Sequence, residues 1–451
     1  MKAAKPLSAV ETRDAIARGE VSAAEVAEAY LARIAEREDE IGAFAFIDPD
    51  YVRAQAARLD EWRKTGRPLG RLHGLPVGLK DIIDTADMPT ENGTMLDAGR
   101  RPRQDSFVAA RLRAEGAVIL GKTATTELAF LSPAKTKNPH DPGRTPGGSS
   151  SGSAAAVAAG MAPLAVGTQT NGSMIRPAAF CGVVGFKPGL GVIPRTGVVV
   201  QAECLDTLGV FARSVPDAAL LAEALQGYDP GDPETRPTAH DPMLAAALSQ
   251  PPVKPQFAFV KTPVWNEAAP DTQAAIGELA SLLGDQCDEV ELPSEFLNAH
   301  PAHRRIMLAG FARSLRPWAE RGWEQLSPQM REAIAEGREV KAADYLAALD
   351  WRKVLNAGLD AIFARYDAIL TPAAPGEAPE GLSATGDPMF STIWSLCGVP
   401  AITLPLAEGA NGMPLGMQLV GARGQDGRLL RTARWLMERV AAEPHMEIAA
   451  Q

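Results

Sequence analysis

The feature that most constrains the fold is a set of short, unbroken apolar runs: LPVGL at 75–79, AVILG at 117–121 and GVVGF at 182–186. Helical stretches and clusters of Gly, Pro and Ser separate them. A strand with one wet face alternates apolar and polar residues, whereas a strand covered on both faces reads as a continuous apolar run. The pattern therefore predicts an α/β chain with a sheet buried between helices. Similar runs return as DAILTP (367–372), AITLPL (401–406) and GMQLVG (416–421), ahead of a helix beginning near Asp426. They predict that the tail completes the sheet begun before residue 220. Near the N-terminus, Ser8 with Glu11 and Ser22 with Glu25 form two capping boxes, which predict two opening helices. In the second, Val26, Tyr30, Leu31 and Ile34 make an apolar stripe that must pack on something larger. The Pro- and Asp-rich stretch YDPGDPETRPTAHDP (228–242) reads as a long connection, and residues 255–355 as mainly helical and charged.

Composition narrows the function classes. A chain of 451 residues buries roughly three quarters of its unfolded surface and needs no metal or disulfide staple. The balance of 45 Lys plus Arg against 55 Asp plus Glu, 45 − 55 = −10, argues against nucleic-acid and anionic-membrane partners, which are held by clustered cations. Cys181, Cys204, Cys287 and Cys397 lie far apart with no CxxC pair, so neither a zinc ribbon nor a disulfide framework is expected. With no signal-peptide-like apolar stretch at the start, the expected location is the cytoplasm. The small-residue window from Ala154 to Gly167 suits an internal helix better than a bilayer span, and the NxS/T triplets at Asn92 and Asn171 then carry no glycosylation meaning. Six dispersed histidines show no HExxH spacing, and neither a metal nor another cofactor is expected.

Three motif matches carry little weight. GAVILGKT at 116–123 fits the P-loop pattern, but its four central residues form an apolar strand-like run rather than a phosphate cradle. GSSSG at 148–152 fits a nucleophile elbow, yet a Pro- and Gly-rich loop precedes it instead of a strand, and His240, His300, His303 and His445 lack supporting context. Ser132 with Lys135 fits SxxK but encloses Pro133 and has no accompanying class motif.

A different constellation is left: the loop PGGSSSGSAAA (146–156), the loop GTQTNGSMIRPAAFCG (167–182), and a lysine in GLPVGLKDIID (74–84). Two serines in glycine-rich loops and a lysine on an apolar strand supply a nucleophile, a relay and a base. Serine needs a neighbouring base to take its proton, and lysine serves as one only when burial lowers its pKa from about 10.4. These loops and the lysine closely resemble the amidase signature family, over essentially the whole chain. The resemblance implies one α/β domain, a large central mixed sheet covered on both faces by helices. Within 1–451 the expected parts are N-terminal helices (1–65), a catalytic core (66–220), a mainly helical excursion (230–355), and closing strands and helix (356–451). It also implies Lys80 as general base, Ser149 as a bridging serine at a cis peptide bond, and Ser173 as acylated nucleophile. Backbone amides of Thr170, Asn171, Gly172 and Ser173 are the candidate oxyanion hole. Ser150 and Thr168 are expected as supporting hydrogen-bonding groups at the site.

Two departures from the common GTDTGGSIRxPA pattern, Gln169 for Asp and the arginine three places after the serine, resemble the malonamidase branch, as do ADMPTENGT (86–94) and TGDPMFSTIWSLCGVP (385–400). On that resemblance Arg176 would clamp a substrate carboxylate with its planar fork, and Gln169, Ser150 and Thr168 complete the substrate-binding set. The expected reaction is hydrolysis of a small, malonamate-like amide with release of ammonia. The alternatives are a broad amidase for neutral amides, a glutamine-hydrolysing amidotransferase component, and an inactive interaction protein of the same fold. A homodimer is implied by resemblance alone. Glu127 and Asp206 are expected to orient loops, Asn92 and Thr94 to line or cap the pocket, and Asp387 to face its substrate end.

Overall fold

A computed structural model describes residues 7–443. Eleven strands form one sheet: β1 Phe44–Ile47, β2 Pro76–Lys80, β3 Val118–Thr123, β4 Leu164–Gln169, β5 Val184–Lys187, β6 Thr207–Ala212, β7 Phe257–Phe259, β8 Cys287–Glu289, β9 Ala368–Pro372, β10 Ala401–Glu408 and β11 Pro414–Val420. Their order is β1-β3-β2-β4-β6-β5-β10-β11-β9-β7-β8. β2 runs parallel to both β3 and β4, whereas β4–β6, β5–β6, β5–β10 and β10–β11 are antiparallel, so the sheet is mixed. The tail joins the earlier strands where β10 pairs β5, as the returning apolar runs predicted.

The unbroken apolar runs are explained by what covers each face. In β4, Leu164 and Val166 face one hydrophobic cluster, packed by the helices Phe107–Ala114, Val215–Leu225 and Asp426–Ala441. Ala165 faces the other side, where the helices Ser151–Ala158 and Ile175–Phe180 pack. Both capping boxes are present, at Ser8 and Ser22. The stretch read as helical between 255 and 355 is helical over Pro270–Leu283, Ala299–Ser314 and Ala342–Phe363. It also supplies β7 and, at the sheet edge, β8, three-residue strands too short to show a period. Among the described residues no helix is long and apolar enough to cross a membrane.

The topology places the site. β2 and β4 are adjacent and parallel, so their carboxyl ends open at the same edge of the sheet, where crevices form in open α/β folds. Lys80 ends β2, and the 170–173 loop follows β4. Because residues two apart share a face, Lys80 lies opposite Val77 and Leu79, on the side of the Ser151–Ala158 helix. That helix approaches closely enough that a Cβ at Gly152 would sit 2.1 Å from Ala43 O and 2.4 Å from Ala124 N. Only glycine fits there.

Candidate active site

The residues of the three sequence segments converge. Lys80 is fully buried, and its Nζ lies 2.7 Å from Ser149 Oγ and 2.7 Å from Thr168 Oγ1. Burial holds its pKa well below that of free lysine; Asp206 opposes this only when ionised. The Gly148–Ser149 peptide is cis. Ser149 precedes the Ser151–Ala158 helix, which hydroxyls tie to β4, Ser150 Oγ donating to Thr168 O (3.2 Å) and Ser153 Oγ to Val166 O (3.0 Å), while Ser151 Oγ donates back to Gly147 O (2.7 Å) in the preceding loop. Ser173 is only partly buried, and its hydroxyl has no hydrogen-bond partner among the described residues.

The loop around Ser173 divides its amides into two groups. Met174 N and Ile175 N donate to Gln169 Oε1 at 2.8 and 3.0 Å, which satisfies the first turn of the Ile175–Phe180 helix. The amides of Thr170, Asn171, Gly172 and Ser173 have no partner among the described residues, leaving consecutive N–H groups available for an anion. Side chains fix the loop from outside. Thr392 Oγ1 donates to Asn171 Oδ1 (2.9 Å), and Ser395 Oγ donates to Asn171 O. His303 Nε2 donates to Thr170 O at 3.0 Å. Burial pushes the His303 ring down to about 4, so this is the neutral imidazole. Thr170 Oγ1 lies 2.8 Å from Gln201 Oε1 and 2.6 Å from Asp206 Oδ1.

The side chains expected to meet substrate are engaged by the protein instead. Gln169 is buried, with Oε1 capping the helix and Nε2 donating to Ser395 Oγ (3.0 Å); it supplies the acceptor that Asp supplies in the commoner pattern. Ser150 and Thr168 bond to one another, and Thr168 also meets Lys80. Arg176 departs most clearly from expectation. It is buried, donating from Nη2 to Gly148 O (2.5 Å) and Thr385 Oγ1 (3.1 Å), and from Nη1 to Gly386 O (2.6 Å). Burial pulls it down to about 10, against the opposing charge of Asp387, so it stays a cation. Its backbone N–H donates to Gly172 O at 3.0 Å. One residue therefore holds the carbonyls immediately preceding Ser149 and Ser173, and both of its terminal nitrogens meet loop oxygens while Nε has no partner among the described residues.

The other landmarks take supporting places. Glu127 accepts from Ser327 N (3.2 Å), Asn92 Nδ2 donates to Asp97 (2.7 Å), and Asp387 Oδ1 accepts from Met389 N (2.9 Å). The lysine of GAVILGKT, Lys122, is buried on β3 and donates to Ile83 O and to Thr90 Oγ1 (2.7 Å), which is incompatible with a phosphate loop. Sequence reasoning missed His303 and Gln201, whose contacts with Thr170 span 133 and 31 residues and leave no local pattern. Among the described residues no His, Cys, Asp and Glu group of three or more could hold a metal ion.

The chain is similar over nearly its full length to known proteins. It is 34% identical over 465 residues to a glutamyl-tRNA(Gln) amidotransferase subunit of Chloroflexus aurantiacus, covering 94% of this chain and 95% of that one. Of solved structures, it resembles one described in work on a vestigial protein complex and the evolutionary origins of an s-triazine catabolic enzyme (30% identity, TM-score 0.89, 98% and 100% covered). It also resembles the peptide amidase of Stenotrophomonas maltophilia (29% identity, TM-score 0.85, 98% and 99% covered). Residues 25–430 match the family described as Amidase. With that match and these likenesses, the chain belongs to the Amidase family and is an amidohydrolase that acts on carbon–nitrogen amide bonds.

Proposed function

We propose that the protein hydrolyses a carboxamide through an acyl-enzyme on Ser173, with Ser149 as relay and Lys80 as base. The observation that carries this reading is the 2.7 Å approach of a fully buried lysine to Ser149. A buried amine in the neutral form donates to Thr168 Oγ1 and turns its lone pair to the Ser149 hydroxyl. Lys80 takes the Ser149 proton as Ser149 takes that of Ser173, and Ser173 Oγ bonds to the amide carbon. The oxyanion is met by amides of Thr170, Asn171, Gly172 and Ser173; a donor of this kind contributes roughly 3–4 kcal/mol. As the C–N bond breaks, Ser149 protonates the leaving nitrogen and recovers its proton from Lys80. Water then attacks the ester, gives a proton to the same relay, and releases the acid.

For the substrate, the curated relatives support glutamine, with the chain acting as the ammonia-releasing component beside a partner that uses the ammonia. A free-standing amidase for neutral amides is the second reading, supported by the likeness to the peptide amidase. The malonamate reading drew on the loop departures, ADMPTENGT and TGDPMFSTIWSLCGVP and assigned Arg176 the carboxylate; with the Arg176 donors serving Gly148, Thr385 and Gly386 and none of the relatives named above described by that specificity, it is set aside. Assembly follows the substrate: a hetero-complex with the first reading, a homodimer with the second.

The test is ammonia release from glutamine, a neutral small amide, a peptide amide and a carboxylate-bearing amide, alongside intact-mass detection of a fluorophosphonate adduct. Adduct formation on Ser173 and ammonia from at least one amide are expected. An unlabelled Ser173 in a protein that still turns over would refute the mechanism, and the ranking of glutamine against the neutral amides chooses between the substrate readings.

A further inference from the structure

The loop bearing the free amides is anchored by side chains whose hydrogen-bond directions follow from counting protons. Leu128 O only accepts, so the Gln201 atom 2.7 Å from it is Nε2. That fixes the other end of the amide. Gln201 Oε1, also only an acceptor, lies 2.8 Å from Thr170 Oγ1 and takes its single hydroxyl proton. Thr170 Oγ1 then presents lone pairs alone to Asp206 Oδ1, 2.6 Å away. Two oxygens at that distance without a proton between them repel, so the proton comes from the carboxyl group. The rest of Asp206 fits this assignment: Oδ2 accepts from Gln201 N (2.7 Å) and Ala202 N (3.1 Å), as a C=O oxygen would, which leaves Oδ1 as the hydroxyl.

We propose that Asp206 is a positioning residue that works as the neutral acid, donating from Oδ1 to Thr170 and so setting the residue that opens the oxyanion loop. With its carbonyl held by His303, Thr170 is fixed at both its polar ends. Burial pushes the Asp206 carboxyl up to about 6, and commitment of the Thr170 proton to Gln201 favours the acid form further. The charged and titratable groups facing Asp206 do not reverse this. Arg195 donates to the Asp206 main-chain oxygen but is paired with Asp232 at 2.6 Å. Glu203 is paired with Arg313, and Cys204 is held as the thiol by burial. Lys80 is the remaining neighbour, and an ionised Asp206 would favour its ammonium form. The neutral acid thus orients the loop and leaves Lys80 able to act as an amine. Activity falls on the alkaline side as Asp206 ionises, because Thr170 loses its donor and Lys80 is drawn toward the ammonium state.

The inference rests on Ser173 chemistry for its functional meaning, and its test separates the two. Asp206→Asn reproduces the neutral acid, with an N–H toward Thr170 and an oxygen for the two amides, but has no proton to lose. It should keep kcat/KM within roughly tenfold of the parent and lose the alkaline limb of the pH profile, while Asp206→Ala falls about 100-fold or more. An Asp206→Asn protein that unfolds cooperatively yet is as damaged as Asp206→Ala, or that keeps the alkaline limb, overturns the proposal. Neutron diffraction from the unmodified protein in D2O reads the proton without any variant. Deuterium on Oδ1 directed at Thr170 is expected, and deuterium on Thr170 directed at a carboxylate would overturn the assignment. Failure of Ser173 labelling would sink the reaction and leave that density untouched.

Discussion

Replacing Arg176 with methionine tests whether this arginine serves the substrate or the scaffold. Methionine keeps much of the buried volume and removes the donors to Gly148 O, Gly386 O and Thr385 Oγ1. A hydrogen bond from a charged group contributes about 1.5–3 kcal/mol, so the two carbonyl bonds together are worth on the order of 3–6 kcal/mol. The lower end applies, because removing a buried cation whose Nε has no partner relieves desolvation. About 2.7 kcal/mol of misplaced loop corresponds to a 100-fold fall in kcat/KM. The assay compares a neutral amide with a carboxylate-bearing amide of similar size. If the loss comes from the carbonyls of Gly148, which precedes Ser149, and Gly386, both substrates fall by the same factor, and Arg176→Lys does not rescue because a single ammonium cannot span the fork. A selective loss on the carboxylate substrate, with the neutral amide unchanged, would refute this reasoning and restore Arg176 as a clamp.

Ser173→Ala is expected to abolish both turnover and fluorophosphonate labelling while leaving the thermal unfolding midpoint nearly unchanged, since the Ser173 hydroxyl has no partner among the described residues. Lys80→Met should change the pH dependence of stability in a defined direction. An unfolded lysine has a pKa near 10.4 and the folded one is depressed, so between those values the unfolded chain binds the extra proton and parental stability rises with pH. The stability of Lys80→Met relative to the parent should therefore be greatest near neutral pH and shrink toward pH 10.4, as read by unfolding midpoints across the series; a pH-independent difference would contradict a depressed lysine. Gln169→Leu leaves Met174 N and Ile175 N without their acceptor and should cost about 1–3 kcal/mol of stability, measured by denaturant unfolding. Gln169→Asp should recover part of that loss.

Much of the sheet was legible because burial on both faces leaves an apolar run in the longer strands. β2, β3, β5 and the three tail strands each coincide with an apolar run. β7 and β8 were not legible, since three residues hold neither a period nor a composition. The site shows the same division. Lys80, Ser149 and Ser173 stand in segments whose glycine spacing is itself a signal. The direction of the Arg176 fork is not one, because an arginine three residues past a serine looks the same whether it meets a ligand or Gly386, 210 residues away. Gln169 was misleading for a related reason. As a substitution for Asp it suggested new specificity, whereas its Oε1 preserves the acceptor for two helix amides. His303 lies among charged neighbours in the sequence, and only the packing of its helix against the 170–173 loop distinguishes it from a surface histidine.

Lys80 ends a strand paired on both sides and shares no surface with water. A base in that position has no exchange with the bulk during a turnover. In the proposed relay the proton it accepts leaves by the way it came, through Ser149, so that the site runs on a closed inventory in which one hydrogen is borrowed and returned at each half of the reaction. Such an enzyme takes no help from external acids or bases. Its rate at fixed pH is independent of buffer concentration, and a small amine diffusing in the solvent could not stand in for a missing Lys80.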